Sequence, residues 1–104
     1  MPTPPPLTDQ ARLAALQKAA EVRTERAELK VQLKSGSLTF AELLRRSETD
    51  HTIATTKILT IIESLPAVGK VKARRTMAAI GISESRRVRG LGKSQRSKLL
   101  EAFG

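Results

Sequence analysis

A basic segment near the middle of the chain carries the residue types that bind phosphate. Residues 65–75 read Leu-Pro-Ala-Val-Gly-Lys-Val-Lys-Ala-Arg-Arg, which predicts a tight hairpin that opens directly into a helix. Gly69 allows an unusual φ angle at the turn. The free amides at the start of the helix and the charge of Lys70 attract an anion. Lys72 and Arg74 continue the positive charge along the same helix.

The first nine residues of this segment match the helix-hairpin-helix motif, which is found in many DNA-binding proteins. One position departs from the motif, because Ala67 stands where these hairpins usually have glycine. An ordinary connection between two helices is the alternative interpretation. Pro66 also has two interpretations. It ends the preceding helix, or its exposed ring enters the minor groove and wedges between base steps; from this residue alone, the first is favoured.

A second basic segment follows the hairpin helix. Arg86, Arg87 and Arg89 lie in a glycine-containing loop that has Val88 as its inward anchor. A run of charge is more often a solvated surface. Three arginines close to a hairpin of the same sign nevertheless favour an anion between them, since arginine suits planar contacts with phosphate. Gly92 is predicted to cap the last helix, where its amide and Lys93 add a further phosphate contact.

The distribution of charge places the partner surface in the second half of the chain. The net charge is +9 over 104 residues; residues 1–50 hold eight Lys/Arg against seven Asp/Glu, and residues 51–104 hold eleven against three. Such a surface suits an anionic polymer better than a membrane, because the sequence has no long apolar run. Tyr and Trp are absent, so stacking platforms for single-stranded bases are missing. Duplex DNA is the favoured partner.

The sequence offers little chemistry beyond binding. It has no cysteine and a single histidine, His51, so we expect no metal site and no cofactor. No acid and nucleophile pair at a plausible pocket, and aromatic residues to hold a flipped base are lacking, which disfavours a DNA-repair glycosylase. We therefore expect that the protein is not an enzyme. The stiff, polar start of the chain does not resemble a secretion signal, which predicts a cytoplasmic location.

The remaining segments predict an all-α fold in three parts. Residues 1–8 form a flexible, proline-rich tail, and residues 9–36 form a long helix of about 40 Å, because strong helix formers dominate there. Its first half is expected to project from the core, and its glutamates are expected to pair with Arg23, Arg26 and Lys30. Residues 37–104 form the DNA-binding domain.

Within this last part the sequence predicts four helices. A Thr39 cap starts a helix that ends near Glu48, and residues 49–52 form a polar turn. The β-branched residues of segment 58–65 suit a strand, but a helix is preferred because Pro66 stops it. The last two helices span 70–80 and 93–103, with Gly81 ending the former; its predicted inner residues are Val71, Ala73, Met77, Ala78 and Ile80.

At these residues the sequence resembles the actinobacterial integration host factor family. The likeness covers almost the whole chain, and its most specific part is Gly-Ile-Ser-Glu-Ser-Arg-Arg-Val-Arg-Gly-Leu-Gly at residues 81–92. The resemblance implies a helix-two-turns-helix domain that binds, bends and compacts duplex DNA with little sequence preference. It also implies a role in the nucleoid and assistance to phage integrase in site-specific recombination. The residues that match the family's wedge proline, its hairpin and its DNA-binding arginines are Pro66, Gly69, Lys70, Arg86, Arg87 and Arg89.

Two other hypotheses follow from the same features. A small-subunit ribosomal protein shares the helix-two-turns-helix arrangement, so ribosomal RNA binding is the alternative function. Such proteins usually carry a long basic tail, whereas this chain stops at Gly104. The N-terminal helix is alternatively an arm that docks on integrase or another nucleoid factor. We expect a monomer in solution.

Overall fold

The computed structural model describes residues 9–104, and within this range the protein is helical, as predicted. The proline-rich tail predicted at residues 1–8 lies outside the described residues. Six α-helices and one short 3-10 helix follow one another along the chain: α1 (Asp9–Ser35), α2 (Phe40–Arg46), α3 (His51–Ala54), α4 (Ile58–Glu63), α5 (Gly69–Ile80), the 3-10 turn (Val88–Gly90) and α6 (Lys93–Phe103).

The long helix α1 joins the rest of the protein only through its second half. Its residues 9–20 are all exposed, whereas Leu33 is buried and Leu29 packs against the core. Arg26 Nε donates to Thr56 Oγ1 over 3.3 Å, and this hydrogen bond connects α1 to the segment that follows α3. The projecting half gives the described residues an elongated shape, with extents of 56 × 30 × 26 Å.

The surface ion pairs expected along α1 do not form. Among residues 9–104 the ion pairs join Arg74 to Glu84 and Arg96 to Glu48. Exposed pairs on a helix contribute only about 0.3–0.5 kcal/mol, too little to hold long side chains in one geometry. Apart from Arg26, which bonds to Thr56, the charged side chains of α1 are therefore not paired with one another in the described range.

The core is built around α4 and α5, which pack against each other, and each of the other α-helices contributes buried residues to it. Segment 58–65 is helical over Ile58–Glu63, so the helix interpretation was right and the strand interpretation wrong. On α5, Ala73 and Met77 are buried as predicted. Val71 and Ala78 were predicted to face inward, but both are exposed. A helix of this length buries one narrow stripe, and residues 73 and 77 already occupy it.

Side-chain and glycine caps set the helix boundaries. Thr39 Oγ1 accepts from the Glu42 amide over 3.2 Å and starts α2, which ends two residues before the predicted Glu48. The predicted turn at 49–52 is right at Thr49 but ends earlier, because Asp50 Oδ1 accepts from the amides of Thr52 and Ile53 and α3 begins at His51. Gly81 ends α5 in the left-handed conformation, with φ of 88°.

Candidate nucleic-acid interface

The hairpin between α4 and α5 exposes its tip and anchors its base. Pro66 and Ala67 are exposed, while Val68 is half-buried and packs against the core. Ala67 and Gly69 both have left-handed backbones, with φ of 62° and 68°. This pair of turns reverses the chain within five residues and starts α5 at Gly69, one residue earlier than predicted. The Pro66 ring therefore stands at the outer end of the hairpin.

Two lysines at the start of α5 carry unneutralised charge. Lys70 and Lys72 are exposed, and neither belongs to the ion pairs found among residues 9–104. No residue caps this helix through its side chain, since Val68 occupies the N-cap position. The free amides and the lysines together make the start of α5 electropositive. Arg74 differs, because its Nε lies 3.3 Å from Glu84 Oε1.

The arginine loop is held against the start of α4. The Ile58 amide donates to the Arg86 carbonyl over 2.9 Å, and the Val88 amide donates to the Thr56 carbonyl over 3.0 Å. Val88 is 5% exposed and anchors the loop in the core, as predicted from its position. These bonds form a single antiparallel bridge between Lys57 and Arg87. The backbone of the loop is thus fixed before any ligand binds.

The three arginines of the loop differ in how tightly they are held. Arg86 Nη1 donates to the Gly90 carbonyl over 2.9 Å, and Arg87 Nη1 donates to the Thr55 carbonyl. Arg89 is exposed, and no hydrogen bond or ion pair of its side chain is found in the described part of the chain. A guanidinium bound through one nitrogen keeps other N–H groups for a ligand. The loop therefore presents two oriented arginines and one free one.

The start of α6 lies directly beyond this loop. Gly92 is the N-cap of α6, as predicted, and its amide donates to the Gln95 side chain over 3.0 Å. Lys93 follows as the first helical residue and is exposed. Because the Gly92 amide is already bonded to Gln95, a phosphate contact at the start of α6 would depend on Lys93 and on the amides that follow it.

Helix α4 sets the spacing of the two basic loops. The arginine loop bonds to the first residue of α4, and the hairpin follows its last residue, with six helical residues between them. At 1.5 Å per residue, α4 separates the loops by about 9 Å along its axis. The loops are more than ten residues apart in sequence, and the fold brings both to one short helix. Two rows of cations at this spacing suit a phosphate backbone.

Three further lysines join this surface, and sequence analysis missed them. Lys57 is exposed and pairs through its backbone with Arg87. Lys30 and Lys34 of α1 line a cleft of about 540 Å³ beside the hairpin, together with Pro66 and Lys70. Glu63 is the acid in this cleft. The sequence could have indicated Lys30 and Lys34 as a pair, because residues four apart lie on one face of a helix. For Lys57 no local signal existed.

Proteins of known structure and name share this architecture. A model of the S13-like H2TH domain matches residues 33–103. The chain is 48% identical over 100 residues to integration host factor from Streptomyces coelicolor, covering 96% of this chain and 94% of the relative. It is equally identical over 100 residues to integration host factor from Mycobacterium tuberculosis, covering 96% of this chain and 95% of the relative.

A solved structure agrees with these sequence matches. The structure of sIHF bound to an 8 bp palindromic DNA superposes with a TM-score of 0.81 at 45% identity, covering 85% of this chain and 99% of that chain. Over the described range, no helix of the present protein is both long and apolar enough to cross a bilayer. On the strength of its near full-length identity and its fold, the chain belongs to the integration host factor family, built on an S13-like H2TH domain.

Proposed function

We propose that this protein is a non-enzymatic architectural factor that binds duplex DNA with little sequence preference and bends it. The observation that carries the proposal is the pair of basic loops held at the two ends of α4, whose lysines and arginines take part in no ion pair found among residues 9–104. The protein of the similar solved structure is bound to DNA, which supports the same partner here.

Phosphate contacts supply most of the proposed affinity. Lys70 and Lys72 with the amides at Gly69 bind one stretch of backbone, and Arg86, Arg87 and Arg89 with Lys93 bind a second. Arg74 contributes less, because Glu84 already offsets its charge. Such contacts position a duplex without reading its sequence. If six to eight cations meet phosphates, affinity falls by about three to five decades between about 50 and 200 mM salt.

Pro66 is proposed to deform the duplex. Its ring is exposed at the hairpin tip and lines the same cleft as Lys70, and an apolar ring in the minor groove separates base steps and kinks the helix axis. Sequence preference then comes from how easily a site bends. The backbone of the hairpin is held by Val68 in the core, so the ring meets DNA from a fixed support.

Ligase-mediated circularisation of short duplexes tests the two roles separately. Wild type, Pro66→Ala and a triple Arg86, Arg87, Arg89→Ala variant are compared at saturating protein and constant salt. We expect Pro66→Ala to bind but to lose circularisation, and the triple variant to lose binding. Normal bending by Pro66→Ala together with binding by the triple variant would contradict both assignments.

Competition with RNA tests the choice of nucleic acid. The helix-two-turns-helix fold by itself suits either duplex DNA or ribosomal RNA. Phe40 is buried and Phe103 half-buried, so the described residues offer no exposed aromatic ring to stack on unpaired bases. We expect structured RNA to compete poorly with duplex DNA of equal length. Equal or stronger competition by RNA would favour the ribosomal hypothesis.

The wider biological role follows from DNA bending. We propose that the protein acts in the nucleoid of the cytoplasm, compacts DNA and assists site-specific recombination by phage integrase. Residues 37–104 serve as the DNA-binding domain, α1 as an arm, and the protein is a monomer in solution. Integrative recombination with purified integrase, with and without the protein, measures this role; no stimulation would confine it to DNA packaging.

A further inference from the structure

A buried threonine lies between the long helix α1 and the arginine loop. Within residues 9–104, Thr56 is the one polar residue that is buried, with 6% of its surface exposed. A buried hydroxyl is costly unless it is hydrogen-bonded. Thr56 Oγ1 donates to the Thr52 carbonyl over 2.7 Å and accepts from Arg26 Nε over 3.3 Å. This side chain therefore connects α1 to α3 from inside the fold.

The backbone at the same place holds the arginine loop. The Thr56 carbonyl accepts from the Val88 amide over 3.0 Å, and the Thr55 carbonyl accepts from Arg87 Nη1. Thr56 thus bonds to two helices through its side chain and to the loop through its backbone. The position of the Arg87 guanidinium therefore depends on where residues 55 and 56 are held.

Arg26 differs from the neighbouring cations of α1. It is half-buried, whereas Arg23 and Lys30 are exposed. Its Nε is bonded to the Thr56 hydroxyl, and a hydrogen bond from a charged donor is stronger than one between neutral groups. Arg26 is therefore a restraint on Thr56 that the other charges of this helix do not provide.

These contacts give the long helix a part in DNA binding that does not require it to touch DNA. We propose that Arg26 and Thr56 are positioning residues, which hold residues 55 and 56 so that the loop presents Arg87 to a phosphate. The inference rests on the proposed function, because it assigns a role within the same interface. Thr56 is buried and acts through its backbone carbonyl, and Arg26 acts through Thr56.

Amide hydrogen exchange tests the positioning role without DNA. Thr56→Val replaces the hydroxyl with a methyl group of similar size, and Thr56→Ser keeps the hydroxyl. We expect the Val88 amide to exchange several-fold faster in Thr56→Val, while amides inside α5 keep their wild-type rates, because only the loop is released. Thr56→Ser should exchange like wild type. Equal acceleration at Val88 and inside α5 would show a general loss of stability and refute the role.

The salt dependence of DNA binding tests the consequence for the interface. At a temperature where circular dichroism shows every variant folded, we expect Thr56→Val to bind labelled duplex about three- to tenfold more weakly near about 0.1 M salt. The slope of log affinity against log salt should fall by up to about 0.9, the contribution of one phosphate contact. Thr56→Ser should bind like wild type. Thr76→Val, the same change at a half-buried threonine of α5, is the matched control and should change neither quantity.

A double-mutant cycle distinguishes positioning by Arg26 from a direct phosphate contact. Arg23→Ala is the control, because it removes the same charge from an exposed position of α1; we expect Arg26→Ala to weaken binding more. When Arg87 is already alanine, Arg26→Ala should cause little further loss, since both substitutions remove the same contact. Losses that multiply, or equal losses for Arg26→Ala and Arg23→Ala, would show that Arg26 does not act through Arg87.

Failure of this inference and failure of the proposed function give different results. If wild type does not bind duplex DNA, or if Arg87→Ala binds as tightly as wild type, the interface is assigned wrongly and both proposals are overturned. If Arg87→Ala weakens binding but Thr56→Val and Arg26→Ala do not, the interface stands and the positioning role alone is wrong.

Discussion

Replacing Ala67 with glycine is expected to stabilise the protein. Ala67 has a φ of 62° and is the non-glycine residue with positive φ among residues 9–104. Its side chain is exposed, so the methyl group contributes little burial to offset the strained backbone. Glycine adopts the same conformation without a steric clash. The change therefore removes strain from the hairpin tip and costs almost no packing.

The expected gain is the difference between two terms. A left-handed backbone costs an L-residue about 1–2 kcal/mol. Glycine, however, gives the unfolded chain extra freedom that lowers stability by about 0.4–1 kcal/mol. The free energy of unfolding should rise by about 0.5–1 kcal/mol, which corresponds to a rise in Tm of about 2–6 °C for a chain of this size.

Thermal unfolding followed by far-ultraviolet circular dichroism measures this change, since the chain has no Trp or Tyr for fluorescence. Ala78→Gly is the control, because Ala78 is exposed but lies in helix α5. There the same substitution should lower the free energy of unfolding by about 0.5–1 kcal/mol. If both variants lower Tm to a similar extent, the left-handed backbone at Ala67 does not destabilise the protein and the prediction is wrong.

Three further predictions concern the interface and the fold. Arg89→Ala should lower the slope of log affinity against log salt by about 0.9 without changing Tm, whereas Lys18→Ala, on the projecting half of α1, should leave the slope unchanged; fluorescence anisotropy with labelled duplex at several salt concentrations measures both. Gly90→Ala would put a Cβ 3.1 Å from Cδ of Arg86, so the Arg86 side chain has to shift by a few tenths of an ångström and its bond to the Gly90 carbonyl is expected to weaken; a small fall in DNA affinity is expected, and wild-type affinity would show that binding tolerates a shift of this size. Asp50→Ala should lower the free energy of unfolding by about 1 kcal/mol in chemical denaturation, and no loss would mean that the α3 cap is unimportant.

Local patterns in the sequence predicted most helix boundaries. Strong helix formers without Gly or Pro define α1, and Gly81 and Gly92 mark helix ends where a left-handed residue or a cap is needed. These signals act between residues that are neighbours in the chain. The short helix α3 was not predicted, because four residues are too few to show an apolar period. Its cap, Asp50, was interpreted as part of a turn.

Burial was predicted less well than helix position. Val71 is apolar and adjacent to inner residues, yet it is 67% exposed. A helix has more apolar residues than its contact face accommodates, and the neighbouring helices decide which of them are covered. The position of Lys57 in the basic surface could not be predicted from the sequence either. Its closeness to Arg87 arises from a backbone bridge between segments thirty residues apart.

The chemistry of the interface was determined by the sequence alone: an excess of cations in the second half, a proline and glycine hairpin, an arginine loop and no aromatic platform. These are properties of residue type and short spacing, which folding does not alter. Only the tertiary structure decided that both basic loops meet at α4, that Glu84 neutralises Arg74, and that Lys30 and Lys34 flank the hairpin. Contacts of this kind join distant segments through the packing of whole helices, so no local pattern encodes them.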